Sequence, residues 1–92
     1  PGDQAFYQFI GIAYSYLGEH DQAIFYLKQA IAISPTRSGY FNLAVACQKA
    51  GLAWEAIEYY KLYLENSKGD NPANIRLAQG ELEKLEKQLT GN

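Results

Sequence analysis

Apolar residues recur along this chain at alternating spacings of three and four residues, the pattern of one face of an α-helix. The first run covers positions 5–17 and the second covers positions 23–31. Asp3 and Asp21 precede these runs and are candidate N-caps, because a side-chain oxygen there can accept a backbone N–H of the first turn. The pattern therefore predicts two helices joined by a turn that contains Gly18.

A second pair of apolar runs follows at positions 40–47 and 56–64, and a polar loop at 66–70 ends it. A fifth run at 75–89 follows Pro72, and proline favours the first turn of a helix. β-Branched residues are few, and no segment alternates between apolar and polar positions as a half-buried strand does. The sequence therefore predicts an all-α fold of five helices.

The two helix pairs resemble each other at an interval of 33 residues, and the fifth helix continues the register at an interval of 34. At the longer interval, Leu43 and Ala44 recur as Leu77 and Ala78. Such intervals indicate tandem helix-turn-helix repeats that stack on one another. The residues that repeat at the shorter interval are Tyr7, Ile10, Gly18, Ala23, Ile24 and Leu27, which correspond to Tyr40, Leu43, Gly51, Ala56, Ile57 and Tyr60.

The intervals within the first pair match the tetratricopeptide (TPR) signature, in which W-x2-L-G-x2-Y is followed by A-x3-F and then P. The second pair follows this pattern up to Tyr60, but it lacks the closing proline and has Tyr63 where the first pair has Ala30. The chain therefore resembles the tetratricopeptide repeat family. The matching residues of the first pair are Tyr7, Ile10, Gly11, Tyr14, Ala23, Leu27 and Pro35.

This resemblance implies a right-handed TPR superhelix of two helix-turn-helix repeats and a C-terminal capping helix. The first repeat is expected at about 4–36, the second at about 37–70 and the capping helix at about 72–89. Together they form a single TPR domain over residues 1–92.

The start of the sequence also fits the repeat register. Pro1 stands 34 residues before Pro35, so residues 1–3 occupy the place of the tail of an earlier repeat. We therefore expect the sequence to be a fragment of a longer array. The alternative is that these residues are a cloning remnant or a lead-in that caps the first helix.

By the same resemblance, the first helix of each repeat turns one side toward a concave groove, in which TPR proteins bind extended or helical peptides. Members that hold the C-terminal carboxylate of heat-shock chaperones use a set of Lys, Asn and Arg residues, of which Asn42 and Arg76 are present. Gln8, Ile12 and Pro72 occupy the other places. An apolar or amphipathic guest is therefore expected. The groove residues implied are Gln8, Ile12, Ser15, Tyr16, Phe41, Asn42, Val45, Gln48, Lys49, Ile75, Arg76 and Gln79.

We expect Phe41 and Arg76 to lie open on this concave face, where a guest contacts both and the fold depends on neither. The alternative is that the apolar members of the set, Ile12, Phe41 and Val45, only contact neighbouring repeats.

Phe25 and Trp54 lie on the second helices, where the family has solvated polar residues, and exposed aromatic residues mark candidate contacts. Two isolated apolar residues are also common on surfaces. The resemblance implies a module that binds a peptide or helical segment of another protein. The alternative is a structural scaffold or self-association module, which forms homo-oligomers through a convex face at Phe25 and Trp54 or through the ends of the stack.

Composition narrows this picture by exclusion. The net charge is −2 without blocks of like charge, so neither nucleic acid nor a membrane surface is favoured as a partner. No apolar stretch approaches the roughly 18 residues of a membrane span, and direct insertion is not expected. With one His and one Cys, no catalytic triad, paired-cysteine motif or phosphate loop can be assembled. We expect no enzyme activity, cofactor or metal, and the compartment stays open between cytoplasm and periplasm.

Overall fold

Each helix in the structure packs against the helix that follows it in the chain, as in a stack of helix pairs. The computed structural model describes residues 2–91, and within this range it contains no strand. No helix in the same range is long and apolar enough to cross a membrane. The all-α prediction is confirmed, and the helices are α1 (Gly2–Tyr16), α2 (His20–Ile33), α3 (Arg37–Lys49), α4 (Ala53–Glu65) and α5 (Pro72–Thr90).

Two predicted N-caps are wrong, because both helices begin earlier than predicted. α1 already includes Gly2, which places Asp3 in its first turn. α2 has Glu19 at its N-cap, and the carbonyl of Glu19 accepts the N–H of Ala23 at 3.0 Å, so Asp21 also lies in the first turn. There each carboxylate stabilises its helix by lying near the partial positive charge of the N-terminus.

The turns that join α1 to α2 and α3 to α4 share one geometry. Gly18 (φ +79°) and Gly51 (φ +83°) have the left-handed backbone conformation that favours glycine. In both turns the glycine N–H donates to the carbonyl three residues earlier, and the next N–H donates to the carbonyl five residues before its own position. This is the Schellman arrangement, so the 33-residue register extends to the backbone of the turns.

Replacing Gly51 with Ala is expected to lower the free energy of unfolding by about 1–2 kcal/mol, because an L side chain is strained in this conformation. Gly80→Ala is the matched control. Gly80 lies inside α5, where an added Cβ meets no atom within 4 Å, so its replacement should raise the free energy of unfolding by about 0.5–1 kcal/mol. Urea unfolding followed by circular dichroism measures both, and two changes of the same sign would contradict this account of the turn.

The helix pairs approach most closely where the sequence places small residues. A Cβ added to Gly11 would lie 2.6 Å from Cγ of Leu27, and one added to Gly39 would lie 2.7 Å from Cγ2 of Ile31. A larger residue at either position would push two helices apart. The buried hydrophobic residues form one core drawn from α2 to α5, namely Ala23, Ile24, Leu27, Leu43, Ala44, Ala46, Cys47, Ala56, Ile57, Tyr60, Tyr63, Ala78 and Leu85.

α5 covers the apolar side of α4. Ala78 and Leu85 of α5 are buried and Ile75 and Leu82 are half-buried, whereas Leu89 near its end is more exposed. The side that α5 turns to the core therefore follows the predicted spacing of three and four residues. The residues of α4 that are buried in the same core are Ala56, Ile57, Tyr60 and Tyr63.

Candidate functional site

Two neighbouring cavities lie along α1, α3 and the start of α5. We name the first, of about 380 Å³, the Phe41 cavity, and the second, of about 410 Å³, the Gln8 cleft. Ser38 lines both, so together they form one continuous groove. The Phe41 cavity is lined by Arg37, Ser38, Phe41, Asn42, Tyr63, Asp70 and Asn74, and the Gln8 cleft by Gln4, Ala5, Gln8, Phe9, Ile12, Thr36 and Ser38.

Hydrogen bonds hold the boundary between the two cavities. Nε2 of Gln4 donates to Oε1 of Gln8 at 2.8 Å, and Nε2 of Gln8 donates to Oγ of Ser38 at 2.7 Å. Beside them, Oγ1 of Thr36 caps α3 by accepting the N–H of Gly39 at 3.0 Å. These polar side chains have defined orientations before any guest binds, and this lowers the entropy lost on binding.

The far wall of the Phe41 cavity is a polar cluster around Asp70. The hydroxyl of Tyr63 donates to Oδ2 of Asp70, and Nη1 of Arg37 donates to the carbonyl of Lys68 at 2.8 Å. The hydrogen bond from Tyr63, and then that from the backbone of Asn71, lower the pKa of Asp70, and nearby Arg37 acts in the same direction. Asp70 is therefore ionised at neutral pH. Burial, and then the hydrogen bond to Asp70, raise the pKa of Tyr63 to about 12.

Phe41 lies less open than the resemblance implies. Its half-buried ring meets the ring of Tyr63 edge to face, with 5.0 Å between centroids, and the ring of Tyr60 at 6.3 Å. Such aromatic pairs stabilise a fold by about 0.5–1.5 kcal/mol beyond burial. The expectation that Phe41 lies open and that the fold does not depend on it is therefore wrong. α4 places two tyrosines beside this ring, so Phe41 both lines the cavity and supports the core.

Gln48, predicted for the groove, is engaged inside the protein. The hydroxyl of Tyr60 donates to Oε1 of Gln48 at 2.7 Å, and Nε2 of Gln48 donates to Oε1 of Glu81 at 2.6 Å. The hydrogen bond from Gln48 lowers the pKa of Glu81. Gln48 thereby connects α3 to both α4 and α5. Val45 and Ile75, also predicted for the groove, are half-buried against the core.

The structure brings four of the predicted groove residues together. Gln8 and Ile12 line the Gln8 cleft, and Phe41 and Asn42 line the Phe41 cavity. Gln79 lines a different cleft beside α4. Of the remaining predicted residues, Ser15 is half-buried and Tyr16, Lys49 and Arg76 are exposed.

The groove also contains residues that were not predicted. Phe9 is 75% exposed in the Gln8 cleft, and Arg37 and Asn74 line the Phe41 cavity. The repeat register carries a signal for the last two, because Arg37 follows Gln4 by 33 residues and Asn74 follows Phe41 by the same interval. Applying that interval to every groove position would have included both.

The two candidate convex residues lie in different surroundings. Phe25 is 57% exposed, and its ring meets Tyr26 edge to face at 5.2 Å. Trp54 is 71% exposed and lines a mainly apolar cleft of about 330 Å³ with Leu89. The ion pair between Lys61 and Glu86, at 3.8 Å, lies at this second cleft. The Trp54 cleft therefore combines an exposed ring with a concave surface.

Cys47 is fully buried in the core. Burial, and then the negative charge of Glu55, raise the pKa of its thiol to about 11. The thiol is therefore protonated at neutral pH, and a thiol in this form is a poor nucleophile. Cys47 packs as a small apolar residue.

Comparison with known proteins identifies part of this fold. Residues 5–37, about a third of the chain, match the family model described as tetratricopeptide repeat. This segment contains most of α1, all of α2 and the first residue of α3. Neither curated proteins nor solved structures give a match. The segment at 5–37 is thus a tetratricopeptide repeat, and the chain has an all-α fold of TPR-like helical repeats.

Proposed function

We propose that this chain binds a segment of another protein in the groove formed by the Gln8 cleft and the Phe41 cavity. Tetratricopeptide repeats generally mediate protein–protein interaction. The observation that carries the proposal is the continuity of the two cavities through Ser38. An extended segment needs such a continuous surface, whereas separate pockets accommodate only single side chains.

The lining of the groove favours an apolar or amphipathic guest. Phe9 and Ile12 offer apolar surface in the Gln8 cleft, where an apolar side chain of the guest would be removed from water. In the Phe41 cavity, the amide of Asn42 can both donate to and accept from a peptide backbone. Apolar burial would supply most of the affinity, and Asn42 would orient the guest.

A guest that is held by its C-terminal carboxylate is not favoured. The amide of Gln8 is already engaged with Ser38, so it is not free to donate to a carboxylate. Asp70 places a second negative charge in the wall of the Phe41 cavity and would repel an anion. Arg76 is exposed on α5, where water and salt would screen its attraction for a carboxylate.

The size of the groove sets the expected strength of binding. Cavities of about 380 and 410 Å³ accommodate a few side chains each. An interface of this kind buries less than about 1,200 Å² in total, which is typical of transient complexes. We therefore expect dissociation constants in the micromolar range.

Asn42→Ala is expected to weaken binding of a groove peptide about tenfold, because a hydrogen-bonding side chain is lost from the cavity. Peptides selected from a random library on the wild-type chain serve as probes, and fluorescence anisotropy measures their affinity. Gln29→Ala, which removes an exposed amide on α2, is the matched control and should leave affinity unchanged. Selected peptides that bind the Asn42 variant normally would place the guest outside the groove.

A structural assembly function is a second candidate, and the Trp54 cleft supports it. A ring that is 71% exposed beside an apolar cleft is a surface that a partner could cover. In the same peptide experiment, loss of binding in Trp54→Ala with normal binding in Asn42→Ala would favour this surface over the groove.

A further inference from the structure

One side of α1 carries a continuous apolar stripe that no other part of the described chain covers. We name it the outer stripe: Phe6, Phe9, Ala13, Tyr16 and Leu17. The four large side chains are 60%, 75%, 89% and 72% exposed in chain order, and Ala13 is also exposed. At about 100° per residue these five positions fall within an arc of about 100°. They lie opposite Gly11, whose side of α1 faces α2.

The outer stripe differs from a solvated helix face in its charge. Asp3 is the only charged residue in the sequence of α1, and it lies in the first turn beyond the stripe. α5, by contrast, has six charged residues along its length. Removing the outer stripe from water therefore buries no charge, and an exposed apolar surface of this size is typical of a contact surface.

The second repeat shows what the equivalent face does when a helix covers it. Gly39 and Ala46 lie 33 residues after Phe6 and Ala13, and both are buried in the interior of the stack. At Gly39, Ile31 of α2 approaches so closely that an added Cβ would lie 2.7 Å from its Cγ2. A helix placed on α1 as α2 is placed on α3 would meet the ring of Phe6 at this point. The outer stripe therefore requires a partner of different shape.

We propose that two copies of this chain pair through the outer stripe, with the two α1 helices antiparallel. The spacings between Phe6, Phe9, Ala13 and Tyr16 are three, four and three, which read the same in both directions. In a symmetric pair centred near Gly11, Phe9 of each copy lies opposite Ala13 of the other. A large side chain thus meets a small one at the centre, as in close helix packing.

The area of the outer stripe agrees with a weak dimer. Fully exposed aromatic side chains bury about 150–250 Å² each, so the exposed fractions amount to roughly 600 Å² per copy. Two copies would bury about 1,200 Å², which is the lower limit of a standard specific interface. Symmetric pairs are the commonest form of homo-oligomer. We expect a dissociation constant on the order of 10 µM.

The pairing is independent of the proposed groove binding, and variants separate the two. Phe6 and Leu17 belong to the outer stripe and do not line either cavity of the groove. Sedimentation velocity of the full chain, over a concentration series that spans about 1–500 µM, should show a shift from monomer to dimer. Phe6→Glu and Leu17→Lys should each abolish this shift and leave peptide binding intact. Phe25→Glu, which changes an exposed ring on α2, should dimerise like the wild type.

A second set of variants distinguishes specific pairing from general stickiness. Ala13→Phe makes the outer stripe more apolar, so it would strengthen unspecific association, but it places two rings opposite each other and should weaken the proposed pair at least tenfold. The exchange of both residues, Phe9→Ala with Ala13→Phe, restores one large and one small partner and should restore dimerisation to within a few-fold. Circular dichroism confirms that each variant is helical.

Three results would overturn the pairing. A wild-type chain that stays monomeric over the whole series would leave the outer stripe to a different protein segment. Dimers that persist in Phe6→Glu would place the contact on another surface. Failure of the exchange to restore the dimer would exclude the antiparallel register centred near Gly11.

Discussion

A chain that ends after Asp70 is expected to be unfolded or aggregated under conditions in which the full chain is folded. Its loss of α5 exposes Ile57, Tyr60 and Tyr63, which are at most 4% exposed in the full chain. Each large side chain that loses its burial costs about 1.5–3 kcal/mol, and a whole domain is stable by only about 5–15 kcal/mol. The truncation also removes the contacts of Leu85 with the core. α5 is therefore expected to be required for folding.

A shorter truncation is the control for this experiment. A chain that ends after Gln88 lacks Leu89, which is more exposed than the other apolar positions of α5, and keeps Ala78 and Leu85. It should remain helical and melt cooperatively, a few degrees below the full chain. Circular dichroism and size-exclusion chromatography follow both truncations. If the chain that ends at Asp70 is soluble, monomeric and as stable to heat as the full chain, the interpretation of α5 as a capping helix must be withdrawn.

The helices and their order were predictable because the signal for them is local. Each helix shows its apolar side at the spacing of three and four residues, and Gly18 and Gly51 mark turns that need the left-handed backbone conformation. Gly11 marks a close approach because no larger residue fits there. Features of this kind depend on a few neighbouring residues and on the repeat interval, both of which the sequence displays directly.

The groove was predictable only in part, because its details depend on contacts between helices. Tyr63 replaces the Ala30 of the first repeat, and its ring occupies space beside Phe41 that the resemblance assigns to a guest. Gln48 points to Tyr60 and to α5 because both offer hydrogen bonds across the stack. A single-sequence pattern does not contain such pairings, since the partners lie on different helices. The predicted caps at Asp3 and Asp21 failed for a different reason. Each helix starts where the backbone turns, and a side chain alone does not mark that point.

Tyr63→Ala is expected to lower the free energy of unfolding by about 3–5 kcal/mol, the range observed when a large buried aromatic residue is truncated. The ring is 1% exposed, and the variant would leave a cavity beside Phe41. It would also leave Asp70 without the hydrogen bond of the tyrosine hydroxyl. Helix propensity does not oppose the change, because Ala30 is tolerated at the same place in the first repeat. Urea unfolding measures the effect, and a loss below about 1 kcal/mol would show that the core closes without this ring.

Tyr63→Phe isolates the hydroxyl, and pH then tests its environment. Because the pKa of Tyr63 is about 12 in the folded chain and 10.0 is its ordinary value, ionisation favours the unfolded state. The stability that the neutral hydroxyl contributes is complete below pH 10 and is lost as pH rises toward 12. Burial raises the pKa of Tyr60 to about 12 as well, so the wild type should lose stability in this window through both residues. Tyr63→Phe keeps the ring and removes one of these losses. It should therefore be less stable than the wild type at pH 7, by about 1–2 kcal/mol, but should lose less stability between pH 10 and 12. Equal alkaline losses in the two proteins would show that the hydroxyl of Tyr63 is not held in the buried hydrogen bond to Asp70.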